Sequence, residues 1–297
     1  MVKILIAGGS GFVGRFLCWR LAELGHQPVI LSRRPGAGEL AWDGRSLAGE
    51  ALRAAGECPA WVNLCGAGIA DARWSRERKK VLQESRLAPT RALVEALGRV
   101  AAKPKVLINA SAVGYYGETG DRTADESFSY GTGFLPSLCA MWEHEAMAAA
   151  ALGVRPVCLR LGVVLGADGG MLARVAPLFR LGLGGPLGGG RQWLSWISRE
   201  DLAGLVAHLI AADVSGGVNA ASPHPVTNRE FTRVLARVLG RPAFLRVPGP
   251  VLRLVLGEMA DVLLQGQRTA PKKAQASGFV FLQPDLEAVL RDELSLR

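Results

Sequence analysis

Histidine, cysteine and tyrosine are all scarce in this sequence, with four, five and three residues among 297. The histidines (His26, His144, His208, His224) have no metal-ligand spacing. The cysteines (Cys18, Cys58, Cys65, Cys139, Cys158) are odd in number and form no Cys-x-x-Cys pair. That excludes a disulfide framework and a zinc site, and a reducing compartment is expected. No apolar stretch is long enough to span a bilayer. Met1-Val2-Lys3 leads into a short apolar run that ends at glycines, unlike a secretory signal. A soluble, cytoplasmic protein with no membrane partner is therefore expected. Basic residues exceed acidic ones, 35 to 26, giving a net charge of +9. They are spread along the chain, and no zinc-finger or aromatic RNA-binding signature accompanies them. Nucleic acid is disfavoured as a partner, and anionic small molecules are what the charge is expected to serve.

What is present is an alternation of short apolar runs and helical patterns in the opening half, the signature of parallel strands joined by crossover helices. Strands are expected at Val2–Ala7, Pro28–Ser32, Trp61–Leu64, Val106–Ser111 and Val157–Leu161. Helices are expected at Phe12–Leu24, over Ser75–Val100 with a break near Pro89, and from Leu135 to Leu152. From Gly166 the pattern loosens into Gly-rich loops with helices at Glu200–Ala212 and Arg229–Leu239. Val251–Leu264 reads as one apolar helix and Pro284–Leu294 as a short amphipathic one. The predicted fold is α/β: a Rossmann-type doubly wound parallel sheet with a smaller mixed C-terminal lobe. The expected division is a dinucleotide-binding core over 1–165, substrate-side loops and helices interleaved with it over 166–247, and the lobe over 248–297.

Glycines at 8, 11 and 14 follow the first strand and open the first helix. A dinucleotide site needs that context. The chain must turn tightly out of the strand, let its backbone approach a pyrophosphate, and pack the helix closely on the sheet. The helix N-terminus then offers free amides to the phosphates, and Gly8, Gly11, Phe12, Val13 and Gly14 are the expected contacts. The second strand ends at Ser32-Arg33-Arg34, and no acid lies between His26 and Gly38. An acid there would hold a ribose 2′-hydroxyl, whereas two guanidiniums suit a 2′-phosphate. NADP(H) is favoured over NAD(H). Cys65, Gly66 and Ala67 follow another strand and Ala110 lies near the end of the next, so all four are counted as cofactor contacts. Cys65 is read as a small buried residue rather than a nucleophile.

Several segments carry a resemblance. The Gly8–Gly14 loop, Asn109-Ala110-Ser111 and Val113-Gly114-Tyr115-Tyr116-Gly117 are similar to those of the extended short-chain dehydrogenase/reductases. Arg73-Trp74, Ser85-Arg86, Trp142-Glu143, the run Arg160–Gly166, Phe179–Gly185, Trp196-Ile197 and Gly257-Glu258-Met259 resemble an atypical, epimerase-like branch of the YfcH type. The family implies a catalytic Ser with a Tyr-x-x-x-Lys pair, in which Tyr moves the proton and Lys lowers its pKa. No tyrosine here has that lysine. Tyr115, Tyr116 and Tyr130 are followed four residues later by Thr119, Gly120 and Phe134, and no lysine stands between Lys105 and Lys272. The expected position reads Phe134-Leu135-Pro136-Ser137-Leu138, a loss the atypical branch shares. Ser198 replaces a histidine usual in relatives, and Asp201 is expected to cap or neighbour the start of the helix that follows.

Hydride transfer belongs to a nicotinamide cofactor and requires only orientation and a donor for developing charge. Ser111, at a strand end, is the expected donor, with Tyr115 and Tyr116 as further catalytic candidates. Arg73, Trp74, Gln192 and Trp193 are candidate pocket linings. The expected function is an NADP(H)-binding oxidoreductase or epimerase-like protein with a small polar, sugar-like substrate. The alternative is a non-catalytic NADP(H)-binding redox sensor, suggested by the missing Tyr and Lys.

Overall fold

The structure, a computed structural model, describes residues 1–295. Seven strands form one parallel sheet: β1 (Lys3–Ala7), β2 (Gln27–Ser32), β3 (Leu40–Ala41), β4 (Ala60–Asn63), β5 (Val106–Ala112), and further on β7 and β11. A two-residue strand, β6 (Thr123–Ala124), precedes β7 (Arg155–Leu161). Then come β8 (Val163–Leu165), β9 (Trp193–Leu194), β10 (Trp196–Ser198), β11 (Gly216–Ala220), β12 (Val226–Thr227) and β13 (Arg268–Thr269). The spatial order is β11-β7-β5-β4-β1-β2-β3. The chain winds outward from β1 through β2 to β3, returns to β4 on the other side of β1, and winds outward again. The expected doubly wound α/β fold is therefore observed. Its topological switch lies between β1 and β4, where such sheets open a crevice at their carboxyl ends.

Both faces of the sheet are covered, so its strands are largely continuous apolar runs rather than alternating ones. Ile4, Ile6, Val62, Ile108 and Val157 pack on one side with Leu17 and Leu21 of α1 (Phe12–Glu23). Leu5, Ala7, Trp61 and Leu107 pack on the other, against α2 (Gly49–Ala55) and α3 (Arg76–Leu97). The remaining helices are α4 (Phe134–Met147), α5 (Gly170–Arg180), α6 (Arg199–Ala211), α7 (Asn228–Leu239), α8 (Gly249–Leu256), α9 (Asp261–Leu264), α10 (Lys272–Ala276) and α11 (Leu286–Ser295). No helix among the described residues is long and apolar enough to cross a membrane.

The structure departs from several sequence expectations. The break expected at Pro89 does not occur: α3 runs through it unbroken. A buried proline forfeits one helix hydrogen bond, but its neighbour Thr90 pins the helix in place. The Thr90 hydroxyl accepts from Asn63 Nδ2 and Trp142 Nε1, each at 2.9 Å, which ties α3 to β4 and α4. The single apolar helix expected over Val251–Leu264 is split at Gly257, whose φ of +62° ends α8. The helix from Leu135 becomes a tighter 3-10 turn over Ala148–Leu152. Ser198, not Asp201, caps α6, accepting from the Asp201 amide at 3.0 Å. The buried Asp201 carboxylate instead takes the amides of Leu282 (2.7 Å) and Gln283 (3.0 Å), clipping the C-terminal segment to the core. That segment is also stitched in by β13, which pairs in parallel with β6.

Candidate functional site

The crevice at the switch point is floored by the Gly8–Gly14 turn. Gly8 has φ +83°, and a Cβ there would stand 2.9 Å from the Leu64 carbonyl carbon. A Cβ on Gly14 would stand 2.3 Å from the Gly8 carbonyl oxygen, so α1 can lie this close only on glycine. Gly11 differs, because a Cβ on it would meet only the Gly8 oxygen, at 3.3 Å. Its open side faces the start of α1, where no side chain caps the amides and no acid occupies the first turn. Bare amides at the positive end of a helix, with backbone exposed beside them, suit a diphosphate. Phe12 and Val13 contribute their amides, while their side chains face elsewhere. The Phe12 ring wedges against a glycine loop, where a Cβ on Gly166 or Gly169 would stand within 2.7 Å of it. Val13 packs toward Val164 and Leu202.

One wall is the end of β2. Ser32 is buried, and its hydroxyl accepts from the Arg34 amide at 3.3 Å, turning the chain outward. Arg33 and Arg34 are exposed, and neither has a carboxylate within salt-bridge distance among the described residues. The first acid beyond them, Glu39, accepts from the Gly36 amide at 3.0 Å. The opposite wall is the loop after β4. The Cys65 amide donates to Asn63 Oδ1 at 3.1 Å, and the Ala67 amide to Ser85 Oγ at 3.0 Å. Burial pushes the Cys65 thiol up to about 12, opposed by the Arg33 guanidinium, so it stays protonated at neutral pH. Ala110 is buried within β5.

The catalytic candidates belong to a buried polar chain. Ser111 (2% exposed) donates its hydroxyl to Glu143 Oε1 at 2.7 Å, beneath α4. The two Glu143 oxygens accept from Arg160 Nε and Nη2, each at 2.9 Å. Arg160 Nη1 donates to the Tyr116 hydroxyl (2.8 Å), which donates to Asn219 Oδ1 (2.7 Å). Asn219 Nδ2 in turn donates to the Ala270 carbonyl at 2.9 Å. Burial pushes the Tyr116 phenol up to about 12. Tyr115 is half-buried, with the Arg160 guanidinium 3.6 Å from its ring centre. Burial also raises its phenol above the ordinary value, although that cation pulls the other way. Both phenols remain neutral at pH 7, the opposite of what a Tyr-x-x-x-Lys pair achieves.

Phe134 and Leu138 lie on α4 one turn apart. Leu138 is fully buried, and Phe134 meets Trp74 edge-on at 5.1 Å with Lys79 Nζ 5.0 Å from its ring centre. Arg73 donates to the Leu254 carbonyl at 3.5 Å, beside Gly257. Gln192 donates to the Leu187 and Leu263 carbonyls. Trp193 Nε1 donates to Asp121 at 2.9 Å. The first pair of linings thus sits by α4 and α8, the second against β13 and its approach.

The sequence reading gave no role to Glu143, Arg160 or Asn219, but a signal was there. Ser111, Arg160 and Asn219 stand opposite one another across β5, β7 and β11, a row of buried polar residues in largely apolar strands. Asn63 and Asn109 form a second such row, linked at 2.7 Å. Among the described residues no cluster of His, Cys, Asp and Glu could hold a metal.

Comparison with known proteins places these features in context. Residues 4–221 match the NAD dependent epimerase/dehydratase family, and residues 247–293 match a domain of unknown function, DUF1731. An epimerase family protein of Mycobacterium bovis is 46% identical over 94% of this chain and 93% of its own length. The epimerase family protein SDR39U1 of Homo sapiens is 37% identical over 98% of this chain and 99% of its own. A crystal structure of human SDR39U1 with NADPH superposes with a TM-score of 0.90 at 35% identity, covering 99% of both chains. The resemblance to an atypical, epimerase-like branch is borne out.

Proposed function

The chain belongs to the NAD dependent epimerase/dehydratase family, and on that premise we propose that it binds NADP(H) at the switch-point crevice. Its activity would be that of an oxidoreductase or epimerase-like enzyme on a small polar, sugar-like substrate. The observation that carries the binding is the open side of Gly11 over the uncapped first turn of α1. The 2′-phosphate falls to Arg33 and Arg34, which have no counter-charge among the described residues. The relative solved with NADPH supports that choice over NAD(H). When bound, the nicotinamide supplies or accepts the hydride. Of the three catalytic candidates, Ser111 and Tyr116 are enclosed and engaged, while Tyr115 keeps exposed surface. As a neutral phenol, Tyr115 would donate a hydrogen bond to a substrate oxygen without becoming a base.

A second reading, a non-catalytic NADP(H)-binding redox sensor, is favoured by one observation. The hydroxyls of Ser111 and Tyr116 are locked to Glu143, Arg160 and Asn219, and positions 134 and 138 are apolar. Two measurements test the proposal. Fluorescence titration should show NADPH binding more tightly than NADH, and Arg33→Ala should remove most of the preference, a charge-assisted contact of about 1.5–3 kcal/mol. Equal affinities in the parent protein would contradict it. NADPH turnover against carbonyl compounds and nucleotide sugars separates enzyme from sensor, and Tyr115→Phe should slow any turnover found.

A further inference from the structure

Arg86 of α3 holds a cation for which the described residues provide no anion. Its Nη1 donates to the Leu82 carbonyl (3.1 Å) and to Ser85 Oγ (3.5 Å), and its Nη2 to the Ala67 carbonyl (3.0 Å). All three acceptors are neutral. Arg160 and Arg199, by contrast, each grip a carboxylate, Glu143 and Glu293. A guanidinium cannot shed its proton to escape such a position. Leaving it there without a counter-charge is costly. Burial lowers its pKa, and the neighbouring Arg78 adds to the repulsion.

Its surroundings indicate where the missing anion belongs. The guanidinium lies under the loop after β4, where a Cβ on Gly66 would come within 3.1 Å of its Cζ. Gly66 therefore admits it. The same loop crosses the phosphate turn, with the Leu64 carbonyl carbon and the Cys65 nitrogen 2.9 and 3.1 Å from a Cβ on Gly8. Arg33 follows β2, on the other flank of β1 from β4 and its loop. The guanidinium also sits 5.2 Å from the ring centre of Trp142, which restricts its plane. Trp142 is on α4, one turn beyond Leu138, where the family's lysine would have brought a positive charge to the cofactor.

We propose that Arg86 is a cofactor-positioning residue, its guanidinium serving as counter-charge to the diphosphate of a dinucleotide held on the Gly8–Gly14 turn. This rests on the cofactor reading above. Arginine suits the task, since its fork can hold the Ala67 carbonyl with one edge and turn its remaining N–H groups to phosphate oxygens.

The test compares the parent, Arg86→Met, Arg86→Lys and Arg33→Ala. Calorimetry would use NADPH and adenosine 2′-monophosphate, which carries the 2′-phosphate and no diphosphate; thermal unfolding would be followed without ligand. Arg86→Met should bind NADPH about 10–100-fold more weakly, as loss of a charge-assisted contact implies. It should bind the monophosphate as the parent does and unfold at the same or a higher temperature, because an unpaired buried charge has been removed. Arg86→Lys should recover part of the NADPH affinity, and Arg33→Ala should lose affinity for both ligands. If Arg86→Met binds NADPH like the parent, this inference fails alone. If it unfolds several degrees lower and loses both ligands equally, Arg86 is a structural clamp and the inference also fails. A parent that binds neither NADPH nor NADH would overturn the cofactor reading itself.

Discussion

The Glu143–Arg160 pair gives the sharpest quantitative test of the buried polar chain. Both side chains are almost enclosed, at 10% and 6% exposure, and they share two hydrogen bonds of 2.9 Å. Glu143→Met would leave the guanidinium with no carboxylate, only the Tyr116 hydroxyl, the Glu126 carbonyl at 3.5 Å and the rings of Tyr115 and Tyr116. Arg160→Met would leave the carboxylate with only Ser111. An uncompensated buried charge costs about 3–5 kcal/mol. At roughly 2 °C per kcal/mol for a chain of this size, each single variant should lose about 6–10 °C in melting temperature. The double variant leaves no charge behind. It loses the Ser111–Glu143 and Arg160–Tyr116 hydrogen bonds, about 1 kcal/mol each, and a cation–π contact of about 0.5–2 kcal/mol. Its total loss should therefore be about 2.5–4 kcal/mol, far below the sum of the singles, about 6–10. Circular dichroism melts at pH 7 on all four proteins measure this coupling. A double variant that loses as much as the two singles together would refute the reasoning.

Two further outcomes are expected alongside those for Arg33 and Arg86. Burial pushes the thiols of Cys58, Cys18, Cys65 and Cys139 up to about 11, 12, 12 and 12, and raises Cys158 as well. A raised thiol pKa keeps the unreactive protonated form, so at pH 8 a disulfide reagent should label the native protein slowly and all five cysteines promptly in denaturant; rapid native labelling would show the burial to be wrong. The pair Phe134→Tyr with Leu138→Lys should not install reductase activity, because Leu138 is fully buried and a lysine there has no partner. A folded double variant that reduces simple ketones would contradict this.

The first half of the fold is legible in the sequence because a sheet covered on both faces needs continuous apolar runs, and the glycine turn between β1 and α1 leaves little choice of motif. The second half is less so. Strand β11 begins Gly216-Gly217, which reads as a loop, yet a Cβ on Gly217 would stand 2.6 Å from Arg160 Cζ. The glycine serves the neighbouring guanidinium rather than a turn. Helix α5 starts at Gly170 and runs through Pro177, both of which mask it in the sequence, although Leu172, Ala176 and Phe179 form its buried stripe. For the site, the glycines and Arg33-Arg34 could be read directly. Ser111 illustrates the limit. Its place at a strand end is correct, but strand alternation sets it on the face of Asn109, beneath the helices, where Glu143 accepts its hydrogen bond. Arg86 was visible only as part of a motif, because what distinguishes it is the absence of a partner in space.

The pairing of β13 with β6 bears on how the chain is made. Arg268 and Thr269 stand beside Thr123 and Ala124, some 145 positions earlier in the chain. The Gly266 amide donates to Glu118, and the Gln267 side chain to the Gly117 carbonyl. The loop that follows Tyr115 and Tyr116 is thus completed by residues near the opposite terminus. During synthesis the β1–β5 half can collapse as it emerges, but this loop stays unfinished until ribosomes have passed residue 269. Contacts so distant in sequence form late and slowly. A chain truncated before that point would retain the glycine turn and lack the strand that completes the loop after Tyr116.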